Sequence, residues 1–184
     1  MGSRLDIIIG PMFAGKSCEL IRRIRKLKVL EKSFIVIKPL LDNRYSDTEI
    51  VSHNHDKENC VCYDFLMNIF DDYKVEELKK INTIFIDEGQ FFRDLKQGTL
   101  MLLEKYDINI VITGLDGDSN RNKFGEILDL IPYSTTCIKI NALCQLCKDG
   151  TEGIFSYRNT TTSNSQVLIG AEDKYMALCR KHYL

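Results

Sequence analysis

The sequence predicts an α/β fold built on a parallel sheet, and three observations carry that expectation. A strand-like run at residues 4–9 passes through a glycine loop into an amphipathic helix. Three further apolar runs, at residues 33–38, 83–86 and 108–113, recur with helix-like stretches between them. The last two run straight into Asp87-Glu88 and into Gly114-Leu-Asp-Gly117, at the strand carboxyl ends where α/β proteins bind ligands.

The glycine loop is Gly10-Pro11-Met12-Phe13-Ala14-Gly15-Lys16-Ser17, a G-x-x-x-x-G-K-[ST] phosphate-binding pattern. Leu5, Ile7, Ile8 and Ile9 form the strand before it. Leu20, Ile21, Ile24, Leu27 and Val29 fall on one stripe of the helix after it. The physics asks for each part. Gly10 and Gly15 let the backbone curl so that successive N–H groups converge on phosphate oxygens. A helix opening at Lys16 adds the positive end of its dipole. Lys16 is expected to place its charge on the β- and γ-phosphates, and Ser17 its hydroxyl on Mg²⁺.

The chain of 184 residues, 44% hydrophobic and 28% charged, has room for one core and a small appendage. A formal net charge of −1 provides no general attraction for nucleic acid. No apolar run approaches the ~20 residues of a membrane span. Met1-Gly-Ser-Arg4 leads directly into the first strand, so no signal peptide is expected. Seven cysteines without such a signal fit a reduced, cytoplasmic setting with free thiols or metal.

In chain order, the strand at 33–38 ends at Pro39. Residues 40–59 are polar and read as a long loop or short hairpin. His53 and His55 there lack a cysteine partner at metal-ligand spacing, so a solvated loop is preferred. Cys60 and Cys62 read as packing residues. Residues 63–81 read as mixed helix with Leu66, Ile69, Phe70, Val75 and Leu78 inward. The strand at 83–86 delivers Asp87 to the place where P-loop proteins hold Mg²⁺, and Glu88 to a place suited to a general base. Residues 91–106 read as one helix, with Leu95, Leu100, Leu102 and Leu103 inward. A short helix is expected within 120–130, and a last core strand at 136–141. Asn122-Lys123 is followed by Phe124-Gly125 rather than by the acid of a guanine-reading pattern, which argues against a GTPase. Cys18 and Cys137 read as core thiols.

At residue 144 the character changes. Cys144-x-x-Cys147 and Cys179-x-x-His182 are two pairs of equal spacing, together the four ligands of a closed tetrahedral Zn²⁺ site. A closed set implies structural zinc. Residues 148–178 between the pairs include a Thr/Ser/Asn run, then a strand-like segment at 166–170.

These residues resemble the cytosolic-type (type II) thymidine kinases along almost the whole chain. The P-loop with its Pro-Met-Phe insert is similar, as are Ile86-Asp-Glu-Gly-Gln-Phe-Phe92, Asp42-x-Arg44-Tyr45, His55-Asp56, Leu115-Asp-Gly117, the Cys144/Cys147 pair and Asp173-Lys-Tyr175. The resemblance implies that Glu88 takes the proton of the thymidine 5′-hydroxyl. It implies ATP at residues 10–17, with Asp56, Lys57, Asp87, Glu88, Gly89 and Gln90 near phosphates and metal. It places the base among Met12, Phe91, Leu115, Ser119 and Phe124. A lasso loop closes over it with the backbone of Gln166, Val167, Leu168, Ile169 and Gly170, and Tyr175 packs on it. It also implies a homotetramer inhibited by thymidine triphosphate. Two departures stand out. Ser119 occupies a position where the family usually has an aromatic, and His182 is a ligand where it has a cysteine.

The expected architecture is therefore a P-loop (RecA-like) core at residues 1–141 and a zinc-binding lasso module at 142–184. The expected reaction is phosphoryl transfer from ATP with Mg²⁺ to thymidine, without a nucleic-acid or membrane partner. Two rivals remain at this point. One is a RecA-like zinc-ribbon ATPase, which would release ADP without nucleoside. The other is a nucleotide-gated binding protein, which would bind ATP without turnover.

Overall fold

The computed structural model describes residues 2–42, 49–51, 56–159, 166 and 174–184. Arg44, Tyr45, His53, His55, Val167, Leu168, Ile169, Gly170 and Asp173 lie outside the described residues.

The chain begins with β1 (Leu5–Ile9), α1 (Lys16–Val29) and β2 (Phe34–Pro39). A small antiparallel hairpin follows, β3 (Glu49–Val51) with β4 (Lys57–Asn59), and then β5 (Val61–Tyr63). Short helices α2 (Ile69–Asp72) and α3 (Val75–Leu78) lead to β6 (Thr83–Ile86). Next come α4 (Leu95–Leu100), β7 (Asn109–Gly114) and β8 (Thr136–Lys139). Six of these strands form one sheet in the order β5-β2-β6-β7-β1-β8, every pair parallel.

Strand periodicity explains how the sheet is covered. Ile7, Ile9, Ile35, Ile37, Ile84, Ile86, Ile110 and Ile112 share one apolar cluster with Leu95 and Leu102. The alternate residues Ile8, Val36, Phe85 and Val111 share another with Leu20, Ile21 and Ile24 of α1. Successive side chains point to opposite faces, so runs apolar throughout are what a sheet buried on both faces requires. The sheet thus lies between α1 and the α4 side, and its carboxyl edge carries the P-loop, Asp87-Glu88 and the turn after Gly114.

Several local expectations change. Residues 91–106 are not one helix. A 3₁₀ turn, Gly89–Phe91, comes first, and α4 starts only at Leu95 before running on as a π-helical turn, Met101–Lys105. Asp94, at the start of α4, spends both carboxylate oxygens on the Leu66 and Met67 N–H groups. Val29 and Val75, expected inward, are exposed because each sits at the end of a helical segment that overhangs the core. β8 is an edge strand with β1 as its partner, so Cys137 is exposed rather than a core thiol. Cys18 is partly buried.

The C-terminal residues add two small ribbons outside this sheet. β9 (Ala142–Leu143) pairs antiparallel with β10 (Glu152–Gly153), and β11 (Phe155–Arg158) with β12 (Tyr175–Leu178). Helix α5 (Arg180–Tyr183) follows.

The sheet centre should carry the stability. Ile110→Ala, at a fully buried β7 position, should lower the unfolding free energy by about 2–5 kcal/mol. Ile138→Ala on the exposed edge should cost less than about 0.5 kcal/mol. Denaturant midpoints at unchanged m-value measure both.

Candidate active site and metal centre

The phosphate loop is a left-handed curl. Phe13 has φ 65 and Gly15 has φ 82, with helix α1 starting at the next residue. Alternation of left- and right-handed residues turns consecutive N–H groups inward and makes an anion-binding nest. Glycine is required at position 10 for a different reason. A Cβ there would run into the Ile140 carbonyl oxygen, contributed by the segment after β8. Lys16 is buried, and its Nζ donates to the Pro11 carbonyl at 2.7 Å, so the cation lies folded across the loop.

Ser17, in the first turn of α1, donates its hydroxyl to Asp87 Oδ2 at 2.9 Å. Asp87 is buried at the end of β6, and its other oxygen accepts a hydrogen bond from the Thr113 hydroxyl at the end of β7. Burial, and then the adjacent Glu88 charge, push Asp87 up to about 6 against the pull of the two hydroxyls. A buried carboxylate held by neutral hydroxyls and raised in this way is a donor set suited to a hard dication, which would favour its charged form. Ser17 and Asp87 therefore fit Mg²⁺.

Glu88 follows in left-handed conformation, φ 51 and ψ 41. For a residue with a Cβ this costs roughly 1–2 kcal/mol, so the surrounding contacts must hold it. Its backbone N–H donates to Asp87 Oδ1 at 3.0 Å. Its Oε2 accepts from the Gln90 amide at 2.5 Å, and the Gln90 amide oxygen accepts the Leu115 N–H at 3.0 Å. Glu88 is thus linked on one side, through Asp87, to the P-loop, and on the other, through Gln90, to Leu115.

Leu115 belongs to an apolar cluster with Met12, Phe124 and Tyr175, against which Phe13 and Phe91 pack. Phe91 and Phe124 meet edge to face at 5.4 Å. The structure therefore brings together Met12, Phe91, Leu115, Phe124 and Tyr175 from four separate stretches of chain. Gln166 lies alongside. Its amide donates to Asp118 Oδ2 at 2.9 Å and to the Lys123 carbonyl at 3.2 Å, while its own carbonyl accepts from Arg158 at 3.1 Å.

Other residues stand elsewhere. Asp56 pairs with Arg25 on α1, and Lys57 with Glu49 across the hairpin. Ser119 is tied to the C-terminal unit, where its carbonyl accepts the Tyr183 hydroxyl at 2.5 Å. Beside it, the Arg121 guanidinium lies over the Tyr183 and Phe155 rings at 4.6 and 5.6 Å.

Sequence reasoning missed several of these groups. Asp118 gathers the Asn120 and Asn122 N–H groups on one oxygen and Gln166 on the other. Ser156 accepts the Met12 N–H at 3.0 Å and so ties β11 to the P-loop. Thr113 and Tyr183 join this list. Ser156 and Tyr183 act across long sequence separations and carry no motif. Asp118 sits in a run resembling an Asx turn, the one signal that was available.

The four candidate zinc ligands converge, their ligand atoms all within 4.8 Å of one another. His182 Nδ1 lies 3.5, 3.2 and 3.5 Å from the sulfurs of Cys144, Cys147 and Cys179, and Cys147 Sγ lies 3.7 Å from Cys179 Sγ. Tetrahedral zinc with bonds of about 2.3 Å to sulfur and 2.0 Å to nitrogen separates its ligands by about 3.5–3.8 Å; three of these four separations fall in that range, and the 3.2 Å one is shorter. At Cys144, burial is outweighed by the backbone N–H groups of Cys179, Cys147 and Leu146 and by His182, and the thiol is lowered to about 6. Burial and the hydrogen bonds with Cys144 and Cys179 push Cys147 up to about 11. One thiolate thus forms readily and discourages the next, a conflict that a bound dication removes. Purified protein should contain one Zn²⁺ per chain by elemental analysis. The paired substitutions Cys144→Ser and Cys147→Ser should remove it, and full zinc in that variant would exclude the site.

The chain is similar to known proteins over almost its whole length. A profile of the thymidine kinase family matches residues 3–183. A thymidine kinase of Oryza sativa subsp. japonica is 38% identical over 181 residues, which cover 98% of this chain and 66% of that protein. Thymidine kinase a of Arabidopsis thaliana is 35% identical over 180 residues, covering 98% of this chain and 74% of that protein. The Monkeypox virus thymidine kinase is 36% identical over 183 residues, covering all of this chain and 98% of the viral protein. The chain therefore spans just under two thirds of the rice protein and nearly the whole length of the viral one. With a family profile covering P-loop, Asp87-Glu88, aromatic cluster and cysteine–histidine centre in one alignment, the chain belongs to the thymidine kinase family.

Proposed function

We propose that the protein transfers the γ-phosphoryl group of ATP to the 5′-hydroxyl of thymidine, giving thymidine monophosphate and ADP. Phosphorylation of thymidine follows from membership of the family. One observation carries the assignment of roles. Glu88 lies between the phosphate loop and the apolar cluster, joined through Asp87 to Ser17 and through Gln90 to Leu115. A base in that place has the donor's phosphates on one side and the acceptor's hydroxyl on the other.

In this reading residues 10–17 wrap the phosphates, and Lys16 leaves the Pro11 carbonyl to reach them. Ser17 and Asp87 hold Mg²⁺, which neutralises charge on the phosphate oxygens when bound. Glu88 accepts the 5′-hydroxyl proton as the oxygen attacks. The protein's contribution is alignment and charge stabilisation, as for phosphoryl transfer generally. Thymine lies among Met12, Phe91, Leu115, Phe124 and Tyr175, with the chain around Gln166 completing the pocket. Zinc holds Cys144–Cys147 and Cys179–His182 together at the base of that chain excursion. Asp56, Lys57 and Ser119 have outer roles, since their partners are Arg25, Glu49 and Tyr183. A homotetramer and inhibition by thymidine triphosphate belong to the same proposal and rest on the resemblance alone. Among the described residues no helix is long and apolar enough to cross a membrane.

ADP release with ATP and Mg²⁺ should depend on added thymidine. Equal release without nucleoside would favour an ATPase instead. Glu88→Gln should lower kcat by ~10²–10⁴-fold, the usual contribution of a general base, with ATP binding retained. Asp118→Ala removes the acceptor of the Gln166 amide. It should raise KM for thymidine about tenfold, as expected for a hydrogen bond to a charged group, and leave KM for ATP within about twofold. Steady-state kinetics with each substrate varied reads both.

A further inference from the structure

Gln90 is among the most enclosed polar side chains in the molecule, at 3% exposure. Its amide is committed at both ends, Nε2 to Glu88 and Oε1 to the Leu115 N–H. The partners fix its orientation, since a backbone N–H can only donate and a carboxylate can only accept. Two glycines make room for this residue, one for its amide and one for its main chain. A Cβ on Gly114 would strike Gln90 Oε1, and one on Gly125 would strike the Gln90 carbonyl oxygen. Gly125 also has φ 60, which a residue with a side chain adopts only at a cost. Gly114, at the end of β7, therefore leaves the space that the amide occupies, and Gly125, in the segment after it, leaves the space that the Gln90 main chain occupies.

Glu88 is what the amide holds. The glutamate is partly exposed on a left-handed backbone, and its side chain has three rotatable bonds. Moving Gln90 onto a phosphate would break the bond to Glu88. If the oxygen moved as well, the Leu115 N–H would be left buried without its acceptor.

We infer that Gln90 is a positioning residue for the base rather than a ligand of the ATP phosphates. It holds the Glu88 carboxylate in its working orientation and registers it against the Leu115 wall of the nucleoside pocket. The inference rests on the assignment of Glu88 as the base in the proposed function. Its action runs through Glu88, so its removal should appear in kcat and not in the binding of ATP.

The test is a double-substitution cycle read by kinetics. Gln90→Met keeps the length and approximate volume but loses both hydrogen bonds. Gln90→Glu keeps an acceptor for Leu115 and sets a second carboxylate against Glu88. Each variant is checked for wild-type zinc content and a cooperative thermal transition, so that either one alone suffices if the other does not fold. In the wild-type background kcat should fall ~10–100-fold, the scale set by small misplacement of a reacting group, with KM for ATP within about twofold. In the Glu88→Gln background, Gln90→Met should change the residual kcat less than about threefold, because the carboxylate it positions is gone. A tenfold rise in KM for ATP at preserved kcat would make Gln90 a phosphate ligand and overturn the inference. So would equal losses of kcat in the two backgrounds. Failure of the wild type to use thymidine would sink the proposed substrate alone, and the cycle would then be read on the acceptor that it does phosphorylate.

Discussion

The carboxylate of Asp87 is buried where three elements end, and the arrangement of the site depends on the bonds it makes there. Ser17 brings the first turn of α1 to one oxygen, and Thr113 brings the end of β7 to the other. The Glu88 N–H closes back on the same group. A buried acid without such donors would be expensive to keep charged. With them, the P-loop helix, the central strand and the strand that leads to Leu115 are fixed relative to one another. The position of Glu88 follows, because its unfavourable backbone conformation is tolerated only between Asp87 and Gln90.

The second dependence is between the core and the C-terminal unit, which by itself has little to bury: two two-stranded ribbons and a four-residue helix. A unit of that size needs a staple, and the Cys₃His cluster is suited to be one. It is further seated on the core by contacts of different kinds. Ser156 accepts the Met12 N–H, Tyr175 completes the apolar cluster, and the Arg121 guanidinium lies against Tyr183 and Phe155. The Met12 contact and the Tyr175 contact meet at the same residue, so the P-loop and the apolar cluster share a wall. Ser119 has a clear setting here as well. Its main-chain carbonyl accepts the Tyr183 hydroxyl, which ties this loop to the C-terminal residues.

Much of this was legible in the residues. The P-loop, the strand running into Asp87-Glu88 and the two equally spaced ligand pairs are local patterns, and each is placed as its spacing implied. The four apolar strand runs found their places because continuous apolarity over four to six residues suits a sheet covered on both faces. What escaped was set by partners distant in sequence. The break of the helix before Leu95 depends on Asp94 turning to Leu66 and Met67. The exposure of Cys137 depends on β8 being an edge strand, which composition does not reveal. The engagement of Asp56 with Arg25 and of Lys57 with Glu49 depends on where the β3–β4 hairpin lies.

The sequence by itself determined the glycine loop between strand and helix, the acid pair at the end of β6, the four residues of the Cys₃His cluster and the α/β class, because each is written in local patterns whose chemistry permits few alternatives. Tertiary structure decided strand order, which strand is the edge, and above all the partners of Gln90, Asp118 and Ser156. Those side chains are polar and buried, and a buried polar group takes its role from whichever donor or acceptor the fold brings to it. No pattern in the chain names the Leu115 N–H as the partner of Gln90. Gly114 leaves room for that amide and Gly125 for the Gln90 main chain, and their purpose shows only when the end of β7 and the segment after it lie against the turn that carries Gln90.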